Sequence, residues 1–112
     1  MSPLKIITGD SATGPVLEII GDLDHHTAPQ LRDKLPTVAL RPGGRLVLDL
    51  AAMHFCDSSG ITALLAARHH AQAAGADIAL AAVPSNTLRI LRIVGLDQIF
   101  ALHDDVAAAT RP

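Results

Sequence analysis

The run Ile78-Ala79-Leu80-Ala81-Ala82-Val83 constrains the fold more than any other stretch of the chain. It is apolar at every position, so a strand here must be covered on both faces, as in sheets whose parallel strands are joined by helices. Pro84 closes the run, and Gly75 before it stands as the C-terminal stop of a helix. That helix reads from Ser58 to about Ala74, with Ile61, Leu64 and Leu65 on its buried face. Before it, the strand Arg45 to Leu50 follows the turn Arg41-Pro42-Gly43-Gly44. Earlier still, Thr27-Ala28-Pro29-Gln30 has the spacing of a capping box, and Leu31, Leu35 and Val38 form one apolar stripe that Pro36 should end early.

At the start, the runs Leu4 to Thr8 and Pro15 to Ile20 flank the turn-rich insert Gly9 to Gly14, which suggests an antiparallel hairpin. Beyond Val83, Ser85 caps a third helix carrying Leu88, Ile90, Leu91 and Val94 and ending at Gly95. Gln98 to Ala101 reads as a short edge strand, and Asp104 to Thr110 as a last small helix with acids at its start. The expected fold is α/β: a mostly parallel sheet of four or five strands, with an antiparallel edge strand and helices packed mainly on one side. The segments Gly21 to His26 and Ala51 to Asp57 then leave the same carboxyl edge of the sheet, where such proteins place their sites. Asp24, Asp57 and Ser58 are therefore expected on one exposed surface, with Ile61 at its rim or in the core.

Composition narrows the function. A chain of 112 residues suits one domain, 1–112, and 49% hydrophobic against 18% charged residues excludes intrinsic disorder. No Trp or Tyr and only two Phe leave no stacking platform for single-stranded nucleic acid, and a net charge of -2 argues against phosphate-backbone binding. The single Cys56 cannot form an internal disulfide, and the first ten residues lack the apolar core of a secretion signal. A soluble cytoplasmic protein without a membrane span is expected.

The densest polar constellation is Asp57-Ser58-Ser59-Gly60, at the mouth of the second predicted helix. Asp and Ser are preferred caps, because their oxygens accept hydrogen bonds from the free amides of the first turn. Capping does not account for two adjacent serines on the site edge. The same free amides and the helix dipole favour a phosphate on such a hydroxyl. A hydrolase reading, with Ser58 as nucleophile and His25 or His26 as base, is opposed by the flanks: a nucleophile elbow needs a small residue two before the serine, and Cys56 stands there. The pairs His25-His26 and His69-His70 point their side chains about 100° apart on a helix, a poor ligand geometry, so no metal site is expected. Cys56 beside Phe55 reads as a small buried hydrophobe.

A second constellation, Gly21-Asp22-Leu23-Asp24-His25-His26-Thr27-Ala28, leads into the first helix. Together with the strand ending Leu48-Asp49-Leu50, the turn Phe55-Cys56-Asp57-Ser58-Ser59-Gly60, the helix Asn86-Thr87-Leu88-Arg89-Ile90-Leu91 and the close Val94-Gly95-Leu96, it resembles the anti-sigma-factor antagonists of the STAS superfamily. The resemblance covers Pro15 to about His103. It implies a single STAS-like domain that is a phosphorylation-controlled binding module and not an enzyme, with no cofactor. The first serine of Asp-Ser-Ser-Gly, Ser58, is then the residue phosphorylated by the partner, an anti-sigma factor with GHKL-type serine kinase activity. The unphosphorylated form binds that partner and frees a sigma factor, and a PP2C-type phosphatase resets the switch. Asp22, Asp24, Asp57, Ser58, Ser59, Gly60 and Ile61 are the implied partner-binding residues, on a protein expected to be monomeric. The alternative is a STAS-like scaffold or ligand-sensing module without kinase control. Cys56, where a non-thiol apolar residue is commoner, and Pro36 within the first helix depart from the family pattern.

Overall fold

Strand β2 (Gly14–Leu23) fixes the layers of the molecule. Its Leu17, Ile19 and Leu23 are fully buried, while Val16, Glu18 and Ile20 between them are only partly covered, so one sheet face carries the main core. The computed structural model describes residues 3–112, so the first two residues of the expected 1–112 domain lie outside the described residues. In chain order the elements are β1 (Lys5–Ser11), β2, α1 (Ala28–Lys34), β3 (Arg45–Asp49), β4 (Met53–Cys56), α2 (Ser58–Ala73), β5 (Asp77–Ala81), α3 (Ser85–Ile93), β6 (Ala101–His103) and α4 (Val106–Ala109).

β1 pairs antiparallel with β2, from Lys5 opposite Ile20 to Ser11 opposite Gly14. The hairpin is tighter than the expected Gly9–Gly14 insert. Gly9 and Asp10 stay in the edge strand, and the Ser11 hydroxyl donates to the Gly14 carbonyl at 2.8 Å to close the turn. All other pairings are parallel, in the order β1-β2-β3-β5-β6, with β4 also on β2. Leu46 lies directly beside Ile78, as the apolar run around Ile78 demands. β4 lies within the expected loop Ala51–Asp57. It takes up pairing with the end of β2 across a bulge at Gly21/Asp22, which brings the sheet to six strands. Gly21 adopts φ +105°, and a Cβ there would overlap the Pro3 carbonyl, so only glycine lets the chain start cross this bulge.

Helices α1, α2 and α3 cover the face carrying Leu17, Ile19, Leu46, Leu48 and Leu80. α2 seats mainly small residues there, Ala63, Ala67 and Ala71 around Leu64, which brings it close to the sheet. Ile61 and Leu65, expected on its buried face, are only partly covered, because the stripe that meets the sheet is narrower than the apolar pattern. Pro36 ends α1 early as expected, within a 3-10 turn at Leu35–Thr37. On the other face, α4 lays Ala109 on Val47, Ala79 and Ala81. Arg45 holds its end by donating to the carbonyls of Ala109 and Arg111, both at 2.8 Å. β6 begins three residues later than the expected Gln98, because Leu96–Gln98 forms a 3-10 turn first. No helix of the described residues is long and apolar enough to cross a membrane.

Candidate functional site

The ends of β2 and β4 run side by side, with Leu23 opposite Cys56, so the segments that follow them start as neighbours. The β2–α1 segment folds onto its own polar groups. Asp24 Oδ1 accepts from the His26 N–H at 2.9 Å and the Thr27 N–H at 3.1 Å. The Thr27 hydroxyl donates to the Asp22 carbonyl at 2.7 Å and accepts from the Asp24 N–H at 2.9 Å. The expected capping box is therefore not formed. Thr27 precedes α1 without a side-chain cap bond, and Gln30 reaches instead to the Leu4 carbonyl at 3.3 Å. Asp24 was expected on the exposed surface, but it is 8% exposed, drawn inward by the donors its carboxylate satisfies. Burial raises the pKa of that carboxyl, yet the Thr27 and His26 amides and the Thr27 hydroxyl together outweigh it and hold the group below its ordinary value.

The β4–α2 segment is built differently. Asp57 has extended backbone angles and caps α2, with Oδ1 accepting from the Gly60 N–H at 2.9 Å. Its other oxygen, Oδ2, accepts from the His25 N–H at 3.2 Å, which joins the two segments. Gly60 is buried against the end of β2, where a Cβ would collide with the Leu23 carbonyl and Cys56 Sγ. Cys56 is itself buried, and that burial, with the Asp57 charge adding to it, pushes its thiol up to about 12, so it stays protonated near neutral pH. Ser58, the first residue of α2, is exposed, and Ser59 is half-buried. The Ser58 hydroxyl makes no hydrogen bond among the described residues, whereas its carbonyl accepts from the Thr62 hydroxyl at 3.0 Å.

Beside Ser58 lies an apolar cleft of about 510 Å³, lined by Asp57, Ser58, Ile61, Thr62, Ile90, Val94 and Leu96. A hollow of about 590 Å³ at the amino ends of β3 and β5, around Thr13, Arg41 and Asp77, contains none of the expected site residues and is more polar. Asp57, Ser58, Ser59, Gly60 and Ile61 thus stand together at the start of α2, with Asp24 in the loop tied to it. Asp22 is half-buried on β2 opposite Phe55. The α3 side of the cleft was missed in the sequence. Only Thr87 and Leu91 of α3 are buried, leaving Ile90 39%, Val94 55% and Ile93 75% exposed. The signal was present: α3 carries apolar residues on more faces than one buried stripe can use. No group of three His, Cys, Asp or Glu side chains placed to hold a metal ion occurs among the described residues.

The STAS domain family model matches residues 5–109. The anti-sigma F factor antagonist of Paenibacillus polymyxa is 29% identical over 91 residues, which cover 80% of this chain and 78% of that protein. The crystal structure of an anti-sigma factor antagonist from Mycobacterium paratuberculosis superposes with a TM-score of 0.82 at 26% identity, covering 97% of this chain and 95% of that one. The Bacillus cell fate determinant SpoIIAA in its phosphorylated form superposes with a TM-score of 0.65 at 20% identity, over 97% and 96% of the two chains. A family match spanning every strand of the sheet, with the same architecture in solved relatives, makes the chain a member of the STAS domain family.

Proposed function

We propose that this protein is an anti-sigma factor antagonist switched by phosphorylation of Ser58. Unphosphorylated, it binds an anti-sigma factor that is also a GHKL-type serine kinase and so frees a sigma factor in the cytoplasm. Phosphorylated, it lets that partner go until a PP2C-type phosphatase removes the phosphate. The observation that carries this reading is the exposed, unengaged Ser58 hydroxyl on the first turn of α2, at the rim of an apolar cleft. The cleft suits an apolar side chain of the partner, with Ser58 and Ile61 on its lining, and Ser59 and Asp22 complete the proposed contact face. Asp24 and Gly60 shape that face from behind, and Asp57, on the cleft's lining, joins its two segments.

The physics of the switch is local. A phosphoryl group adds about -1.5 to -2 charges and three acceptor oxygens. Free amides at the start of α2 favour that charge, so the fold persists; the phosphorylated Bacillus protein has this fold too. Across an interface nothing offsets it. An acidic partner group about 5 Å away is repelled by about 3 kcal/mol per unit charge product at an effective dielectric near 20, a loss of about a hundredfold in affinity. The relatives named for anti-sigma antagonism support the partner class.

The test is incubation with a GHKL-type anti-sigma kinase and ATP, read by intact mass. One phosphate on the wild type and none on Ser58→Ala is the expected result. An unmodified wild type would move the protein to the scaffold or ligand-sensing class.

A further inference from the structure

Asp57 does more than a helix cap requires. A cap uses one side-chain oxygen, and Oδ1 supplies it to the Gly60 N–H at 2.9 Å. The second oxygen accepts the N–H of His25, 32 residues earlier in the chain, at 3.2 Å. The Asp57 N–H donates in turn to the carbonyl of Leu23, the last residue of β2, at 3.3 Å. One half-buried residue thereby links the end of β2, the loop after it and the first turn of α2.

We propose that Asp57 is a positioning residue for partner binding: its carboxylate ties the β2–α1 loop to the Ser58 turn so that both present one face, and it acts through that tie and not through a hydrogen bond to the partner. The proposal rests on the reading that this face receives a protein partner. Engagement of both oxygens by backbone amides of two separate segments favours positioning over contact, since the carboxylate is already oriented by the fold on both of its oxygens. The tie also selects a carboxylate. Asn and Ser cap helices about as well as Asp, but an amide offers one acceptor oxygen and a hydroxyl one, so neither serves the Gly60 and His25 amides on two separate oxygens.

Asp57→Asn and Asp57→Ser therefore separate the cap from the tie. Amide hydrogen exchange of the free proteins and calorimetric titration with a purified GHKL-type anti-sigma kinase read the two roles. In both variants the Gly60 amide should keep its protection and α2 its helicity. Exchange at His25 should rise about tenfold and affinity fall about tenfold, the scale of one lost charge-assisted hydrogen bond. Unchanged exchange at His25 overturns the tie. A loosened loop with wild-type affinity overturns the positioning role, and lost affinity without loosening assigns Asp57 to direct contact instead. If the wild type itself does not bind the kinase, the anti-sigma reading falls and the positioning role with it, whereas variants that bind as well as a binding wild type sink the positioning role alone.

Discussion

In the segment after β2 Asp24 Oδ1 and the Thr27 hydroxyl are engaged by the segment's own backbone, whereas in the segment after β4 the Ser58 hydroxyl is engaged by nothing among the described residues. Both are short, polar and placed at the same sheet edge. The first is a brace whose polar groups satisfy donors and acceptors that would otherwise be buried without partners. The second is a display, held in place by Asp57 and Gly60 and leaving one nucleophilic oxygen in solvent. Residue type alone does not separate a bracing hydroxyl from a displayed one. What separates them is whether the chain turns back on itself within hydrogen-bonding reach.

The contact beneath both segments is the hardest to disturb. Gly60→Ala sets a methyl group against the Leu23 carbonyl and Cys56 Sγ, and one of these is backbone that cannot rotate away. A loss of about 3 kcal/mol is expected, the upper end of overpacking penalties, read as a lowered urea midpoint. An alanine variant as stable as the wild type would mean that α2 can slide off the end of β2, and the two segments would no longer be held as neighbours. Next in size comes the charge on the displayed hydroxyl. Ser58→Asp should weaken binding to the anti-sigma kinase by about a hundredfold, while Ser58→Ala binds like the wild type. Equal affinity for all three proteins would take the switch away from Ser58 and move attention to Ser59.

A smaller effect sharpens the contrast between the hydroxyls. Thr27→Val removes the hydroxyl that donates to the Asp22 carbonyl and accepts from the Asp24 N–H, and takes that buried amide's side-chain partner away, at a cost of about 1–2 kcal/mol. Ser58→Ala removes an exposed, unengaged group and should leave stability within about 0.5 kcal/mol of the wild type. Equal costs from denaturant titration would erase the distinction between brace and display.

The same contrast explains what the sequence made legible. β5, β3 and α2 were readable because hydrophobic period and local punctuation agree there: an unbroken apolar run, Gly75 after a helix, Asp57 before one. The Asp-Ser-Ser-Gly turn was readable for the same reason, since capping is decided within four residues. β4 was not, because Met53 and Cys56 are buried while His54 and Phe55 between them are exposed, a pattern without the alternation of a half-buried strand. Thr27 does not act as the expected cap because its hydroxyl oxygen has two competing donors, the helix amides ahead and the Asp24 N–H behind, and only the path of the loop decides between them. The inward turn of Asp24 follows from that same path. The outward face of α3 is a third case, where apolar residues at helical spacing exceed what the core can cover.

The smallest expected effect tests the brace through acidity. Asp24 has its folded-state pKa held below the ordinary value of 3.8, so its ionised form is bound more favourably in the folded chain than in the unfolded one. The stabilisation is therefore fully present above the unfolded pKa and is lost as the pH falls through the lower, folded one. Asp24→Asn keeps one acceptor oxygen for the His26 and Thr27 amides and removes the charge, so it should weaken the fold less than Thr27→Val does. The gap between wild type and Asp24→Asn should not narrow from about pH 7 to about pH 5, where charge on the neighbouring His26 adds to it, and should then close as the solution is taken toward about pH 3. Urea midpoints across that range measure it directly. The Ser58→Ala variant, which touches no carboxylate bond, should run parallel to the wild type throughout. A gap for Asp24→Asn that stays constant to the acid end would show that the carboxylate gains nothing from its amide donors, and the brace would then rest on the Thr27 hydroxyl alone.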